Sequence, residues 1–440
     1  MPASPVQKIS FSGLLERIRN PDTKDTDQCH SIDPFRSILP VVLSYVHKNT
    51  LSRLMQVSLV VLREVLQSNI RIPLSLYINS DFADRLLEAK TKLETLKRKT
   101  KLSFSLKLRI HSNGVEWVHD IDLLNGLDRC IKEGVFVHSI AIQNLHVDLE
   151  GINKSMGQCI SSMRYLEELD LSGYHCDDVE IFERNLVPEL TTLCTLGQVK
   201  VNRCSLLALR TLCMTNTSLY ALKLYATGGN VDRTRIFSTL SALRLGTLRT
   251  FSMHNLDVVT RGESEKLEEF VHSQPLLSRL SLSLCEVTAC NPVVGLLKHT
   301  RLETLKLHRL HIGQPELRRV LEQIGNMTQL QSLTLTHNHC IDTDAAKLCS
   351  SLRDMTRLRR LKLSYLSLGA ESVPALAAAF TSLQGLQQVD LSNNRFQDID
   401  VSSFVAALSA LSKLTRLRLE NCRMTPNVHR QMQTVLQKQI

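Results

Sequence analysis

Aromatic side chains are scarce in this chain. Phe, Trp and Tyr make up 5% of its 440 residues, and tryptophan occurs once, at Trp117. The core therefore has to be built mainly from aliphatic residues. Long apolar runs are missing as well. Nothing approaches the roughly 18 consecutive apolar residues that cross a bilayer. The start, "MPASPVQKISFSGLLERIRN", has no continuous apolar segment of the secretory kind. No membrane association is expected, and the cytosol or the nucleus is the expected location. Twelve cysteines lie between Cys29 and Cys422 without one CxxC pair. They read as reduced, buried, hydrophobic thiols; disulfides or zinc are the alternative. The densest candidate for a metal, "HNHC" from His337 to Cys340, has no second ligand pair at zinc-like spacing. There is no Gly-rich phosphate loop, no GxSxG and no His/Cys/carboxylate set of the nucleophilic kind. No catalytic, cofactor-binding or metal-binding residue is assigned, and the chain is not expected to be an enzyme.

What is present in excess is positive charge. Lys and Arg number 53 against 43 Asp and Glu, a formal net charge of +10 with a pI near 9.0. Such a balance favours acidic partners and says nothing about fold. At roughly 150 residues per domain, the length would suggest about three domains. Internal repeats override that prior, and this chain has them.

From Leu302 onward one frame recurs. "LETLKLHRL" starts at Leu302, "LQSLTLTHN" at Leu330, "LRRLKLSYL" at Leu358, "LQQVDLSNN" at Leu386 and "LTRLRLENC" at Leu414, each 28 residues after the last. Earlier copies start at Leu277, Leu248, Leu219, Leu196, Leu166 and, weakly, Val137, at intervals of 23 to 30 residues. That makes eleven candidate repeats. In the LxxLxL frame the leucines alternate and share one face of a short strand. The ninth position carries Leu, Asn or Cys, and the two polar types have side chains able to bond neighbouring backbone. The rest of each repeat is helical by pattern: "QPELRRVLEQIGNM", "DTDAAKLCSSLRDM" and "AESVPALAAAFTSL" place apolar residues at three- and four-residue steps. Asp342 and Asp344 offer N-cap options for the second of these. "SFSLKLRIHSN", near residues 103–113, reads as a further capping strand, and "MTPNVHRQMQTVLQKQI" as a polar-faced terminal cap.

These frames resemble the leucine-rich repeat family closely. The period of 28 resembles its ribonuclease-inhibitor-like subclass, whereas Cys204, Cys285 and Cys422 at the ninth position resemble the F-box-associated, cysteine-containing subclass. The resemblance implies an α/β solenoid, horseshoe-shaped, of about 11 repeats, with a parallel concave sheet and convex helices. The domain divisions expected are 1–29, weakly ordered; 30–75, a helical module; 76–130, a basic connecting segment with an N-terminal cap; and 131–440, the repeats with a C-terminal helical cap. In such a solenoid the residues between the leucines line the concave face. Its outward third and fifth frame positions carry Lys200, Lys223, Arg279, Lys306, Arg360, Lys362, Arg416 and Arg418, with Tyr225, His254, His308 and Tyr365 beside them. The acidic residues in those positions are Glu168, Asp170 and Asp390. Two readings stand: a binding surface for an acidic or phosphorylated protein partner, or a solvated charged face. Too few rings are present for a nucleic-acid stacking platform. A second basic cluster, "KTKLETLKRKTKLSFSLKLR" at residues 90–109, reads either as an anionic-surface or nuclear-import patch or as a solvated helix and linker.

Ahead of the repeats, "SILPVVLSYVHKNTLSRLMQVS" from Ser37 to Ser58 has apolar residues at helical steps, broken at "HKN". "PFRSILPVVLSYVHKNTLSRLMQVSLVVLREV" resembles an F-box: Leu43, Ser44, Tyr45 and Val46 end the first helix, and Leu51, Arg53, Leu54, Val57 and Ser58 follow at the family's offsets. It departs from the family where the opening Leu-Pro falls on Pro34-Phe35 and where Val61 takes the place of the usual Trp. The resemblance implies docking onto a Skp-type adaptor of a cullin-RING ubiquitin ligase, with the repeats holding the substrate. By residue match, Pro34, Ile38, Leu39, Val42, Leu43, Leu51, Leu54 and Val57 form the docking set. The other readings are a helical cap over the open end of the solenoid and, for the whole chain, a scaffold or inhibitor of the ribonuclease-inhibitor type with no ubiquitin link.

Overall fold

The computed structural model describes the strands at 72–78 and 104–111 and, apart from short internal segments, residues 137–431. Contacts divide the chain into two compact units, Met1–Ser75 with Asp84–Leu106, and Leu76–Ala83 with Lys107–Ile440. Of the helical module expected over 30–75, the last four residues belong to a strand that starts at Ile72, and the rest, with its docking residues Pro34 through Val57, lies outside the described residues, as do Cys204 and Cys285. Among the described residues, no helix is long and apolar enough to cross a membrane.

The second unit is an α/β leucine-rich repeat solenoid. Strands β1 (Ile72–Ile78) and β2 (Phe104–His111), each with residues in both units, precede the repeats in the chain, the latter where a capping strand is expected. Eleven strands then follow in strict chain order: β3 (Val137–Gln143), β4 (Glu168–Asp170), β5 (Gln198–Val201), β6 (Ala221–Tyr225), β7 (Thr250–His254), β8 (Arg279–Ser283), β9 (Thr304–His308), β10 (Ser332–Thr336), β11 (Arg360–Lys362), β12 (Gln388–Asp390) and β13 (Arg416–Arg418). Each of the eleven falls inside one LxxLxL frame. Neighbours pair parallel and in frame register: Leu305 faces Leu333, Leu333 faces Leu361, Leu361 faces Val389 and Val389 faces Leu417. The register survives the uneven repeats, since Leu169 faces Val199 and Val199 faces Leu222 although those frames start 30 and 23 residues apart.

The helices supply the other layer. The expected three are present as Gln314–Gly325, Asp342–Leu352 and Ser372–Phe380, and helices of successive repeats pack on one another. Leu307 and Leu335 from the sheet meet Leu317, Val320 and Leu321 from the first of these helices around one apolar pocket. Frame leucines such as Leu302, Leu305, Leu330, Leu333, Leu358 and Leu386 are completely buried. Fully burying such a side chain contributes about 1.5–3 kcal/mol. The few aromatics concentrate where repeats meet: Phe380, Phe396 and Phe404 pack with ring centroids 5.9 and 6.1 Å apart. Of the cysteines described, Cys159, Cys176, Cys349 and Cys422 are buried, while Cys194 is exposed and does not fit a core reading.

Asp342 is the first residue of its helix, and the buried Asp344, two residues further in, accepts from Arg318 Nε of the preceding helix at 3.2 Å. A reciprocal cap does occur elsewhere. Thr260 Oγ1 accepts from the Glu263 amide and Glu263 Oε2 accepts from the Thr260 amide, at 3.2 and 2.9 Å, opening the helix Arg261–His272.

Where the ninth frame position is Asn or Cys, at Asn338, Asn394 and Cys422, its side chain bonds neighbouring backbone as its chemistry predicts. Asn394 Nδ2 donates to the carbonyls of Leu363 and Leu391, both at 2.7 Å, and its Oδ1 accepts from the amides of Leu366 and Leu368, both at 3.2 Å. Asn338 makes the equivalent bonds to Leu307, Thr336 and Leu310. Cys422 donates its thiol to Leu391 O at 3.2 Å. Because Asn394 is buried, Asn394→Ala takes the side-chain partner from Leu363 O and from the amides of Leu366 and Leu368, while Leu391 O keeps the Cys422 thiol. Each buried group left unsatisfied costs about 1–3 kcal/mol, so the variant is expected to lose at least ~2 kcal/mol in a urea titration; an unchanged midpoint would show that the ladder contributes nothing.

Candidate functional site

Strand alternation sends the leucines inward and leaves the third, fifth and seventh frame positions on the opposite face of the sheet. In-register pairing then stacks these positions into rows, one residue per strand, about 4.8 Å apart. The fifth-position row reads Asp170, Lys200, Lys223, Ser252, Ser281, Lys306, Thr334, Lys362, Asp390 and Arg418. The third-position row carries Arg279, Thr304, Ser332, Arg360, Gln388 and Arg416 over the last six strands. Together the two rows line one concavity of about 480 Å³ that spans β8 to β13. Six of its lining residues are cationic, and Asp390 is the one acidic residue among them.

The face is therefore not a uniform positive stripe. Lys200 pairs with Asp170 on the preceding strand. Lys362 and Arg418 flank Asp390 from either side, at 3.1 and 4.0 Å. Burial opposes ionisation of Asp390, but hydrogen bonds from Lys362 and Ser392 prevail and hold its carboxyl below the usual range. Arg279, Lys306, Arg360 and Arg416 make no ion pair among the described residues, and all four are exposed. The partly buried Lys223 shows the crowding of charge: burial first, then the like charges of Lys200 and Lys306, lower it from the ordinary lysine value.

Rings occupy the C-terminal edge of the same strands. Tyr225 and His254 stack with centroids 4.8 Å apart across β6 and β7. Further along, His308 meets His337 edge to face at 5.0 Å, and His337 stacks on Tyr365 at 4.0 Å. His308 Nδ1 lies 2.6 Å from Thr336 Oγ1. Of the sequence-predicted ring residues, the structure thus gathers His308 and Tyr365 into one cluster and sets Tyr225 with His254 in another. The sequence reading missed His337 and Arg309.

Those two share a position. Asn255, Arg309, His337, Tyr365, Asn393 and Asn421 are each the eighth residue of a frame, and each has φ between 50° and 61°. The chain leaves the strand here through a left-handed residue. Its amide bonds a carbonyl of the next turn, as Arg309 N does with Thr336 O and His337 N with Ser364 O, at 2.8 and 3.2 Å. Asn adopts this region readily; other residues with a Cβ are disfavoured there by roughly 1–2 kcal/mol. Arg309, His337 and Tyr365 hold it in three successive repeats while remaining exposed. The eighth frame position carried the signal in the sequence, in Asn144, Asn255, Asn393 and Asn421.

A scan against protein-family models and a search of curated proteins give no match. Among solved structures, an internalin (inlF) from Listeria monocytogenes str. 4b F2365 is similar at 15% identity with a TM-score of 0.40, over 90% of this chain and 92% of that one. Leiomodin-1 actin-binding site 2 is similar at 16% identity with a TM-score of 0.25, over 29% of this chain and 75% of that one.

Burial first, and then nearby positive groups, depress the imidazoles of His254, His308 and His337 below the ordinary value of 6.5. The like-charge neighbours are Lys223, His308 and Lys306 for His254, then His337, Arg309 and Lys362 for His308, and Arg309 with Lys362 for His337. Each ring is thus neutral in the fold over a range where it is charged in the unfolded chain. Its contribution to stability is full above about pH 6.5 and is lost as pH falls through the depressed folded values. An NMR titration of the ring protons should place all three midpoints below 6.5; a midpoint at or above that value contradicts the crowding.

Proposed function

We propose that the chain is a non-enzymatic, protein-binding solenoid that holds an acidic or phosphorylated segment of a partner in the concavity over β8 to β13. The observation that supports this most directly is the set of four exposed cations, Arg279, Lys306, Arg360 and Arg416, that share this surface without an ion pair among the described residues. Charges placed for solubility alone can be neutralised by neighbours, as Lys200 is by Asp170. These four are left for a ligand. Arg360 and Arg416 bring planar guanidinium groups suited to two-pronged contacts with carboxylate or phosphate. A fluorescein-labelled peptide rich in glutamate and phosphoserine is the probe. The double variant Arg360→Glu, Arg416→Glu should weaken its binding by about 10-fold or more, with the thermal midpoint unchanged. Equal affinity in the variant would remove the concavity as the site.

We further propose that residues 30–75 are an F-box-like module. The chain would then be the substrate-recognition subunit of a cullin-RING ubiquitin ligase acting in the cytosol or nucleus. The support is the matched offsets from Leu43 to Ser58 and the order of the chain, helical pattern first and repeats after, which is the order of the family. Capture of a purified Skp-type adaptor by the full chain, lost in the double variant Leu54→Asp, Val57→Asp, is the expected result. Failure of the unaltered chain to retain the adaptor would leave the repeats as a scaffold or inhibitor with no ubiquitin link.

A further inference from the structure

The left-handed eighth position is the place where this solenoid departs from its own rule. Asn255, Asn393 and Asn421 occupy it at low cost, whereas three consecutive repeats place Arg309, His337 and Tyr365 there. These side chains do not recover that cost by burial, because all three are exposed; Tyr365 keeps 48% of its surface in solvent. What His337 and Tyr365 gain is mutual: their rings stack, and His308 on the preceding repeat meets His337 edge to face, so three rings of successive repeats form one cluster. Costly backbone joined to an exposed, ordered ring surface is a pattern found where a ligand completes the site.

Resting on the reading of the concave face as a site for acidic protein segments, we propose that the His308–His337–Tyr365 cluster is a recognition subsite for an aromatic side chain carried by such a segment beside its acidic groups. The cluster ends at Tyr365, because the equivalent residue on the next repeat is Asn393, which extends no ring. A Tyr face accepts either an aromatic ring or a cation. A cation is disfavoured here by Arg309 and Lys362, whose positive charges already act on His308 and His337, so the occupant is a ring. Lys306, two residues before His308 on β9 and without an ion pair among the described residues, is the cation that receives the segment's acidic group.

The test uses the full chain and two fluorescein-labelled, glutamate-rich peptides that differ only in tyrosine or alanine at one central position, read by fluorescence anisotropy. The tyrosine peptide should bind roughly 3- to 10-fold more tightly. Tyr365→Asn should abolish that difference, leave the alanine peptide's affinity unchanged, and keep or raise the thermal midpoint, since Asn is the residue that neighbouring repeats place at this backbone position. Equal binding of the two peptides to the unaltered chain overturns the ring subsite while the acid-binding reading stands. Binding of neither peptide overturns both. A difference that persists in Tyr365→Asn and also in His337→Asn overturns the assignment to this cluster. Tighter binding of a single-stranded DNA oligonucleotide than of either peptide assigns the face to nucleic acid and overturns it as well.

Discussion

Every repeat in this solenoid hides its leucines against the repeats beside it, and the rest of the structure depends on that nearest-neighbour burial. A single LxxLxL frame has an apolar face and nothing within itself to cover it. Stacking in parallel register covers the leucines from both sides, and the helical layer closes the back. Stability accumulates along one dimension, repeat by repeat. The same register aligns the Asn ladder, so that Asn338 and Asn394 reach backbone groups on the adjacent turn as well as on their own.

Because the leucines carry the fold, the positions between them are free to carry charge. Their chemistry differs along the face. At Asp170 with Lys200, and at Lys362 with Asp390 and Arg418, opposite charges meet across adjacent strands and largely satisfy each other. Such half-exposed pairs contribute little to stability after solvent screening. Between and beside them stand cations with polar, uncharged neighbours such as Thr304, Ser332 and Thr334. The seventh and eighth positions then add rings at the rim. A basic floor and an aromatic rim are distinct chemical surfaces offered by the same few strands.

The architecture was legible because each frame announces its own strand. All eleven expected frames are strands, and the three quoted helical stretches are helices. The uneven early intervals did no harm, since the frame and not the interval sets the pairing. The site was legible in part. Its cations follow from counting positions three and five, and the pairing of Lys362 with Asp390 follows once adjacent frames are laid side by side. The left-handed turn was hidden because Arg309, His337 and Tyr365 are not residues that signal such a backbone. His337 was weighed with Cys340 as metal chemistry, when its nearest partners are the rings of His308 and Tyr365 on flanking strands. The capping box at Thr260 and Glu263 was visible as a T-x-x-E spacing just ahead of an apolar pattern. The N-cap option at Asp344 gave way because that carboxylate serves the neighbouring helix through Arg318.

The in-register pairing of repeats with unequal lengths has a further meaning. The 30- and 23-residue intervals that begin at Leu166 and Leu196 deliver their strands to the same grid, so the differences are absorbed in the helices and loops behind it. The inner face behaves as a ruler whose graduations are fixed by hydrogen-bond geometry and not by chain length. Insertions at the back leave the markings where they are. Gain or loss of a whole repeat moves every later group by one graduation. Groups on this surface can therefore be respaced only in whole steps, and a ligand that reads two of them measures distance in strands.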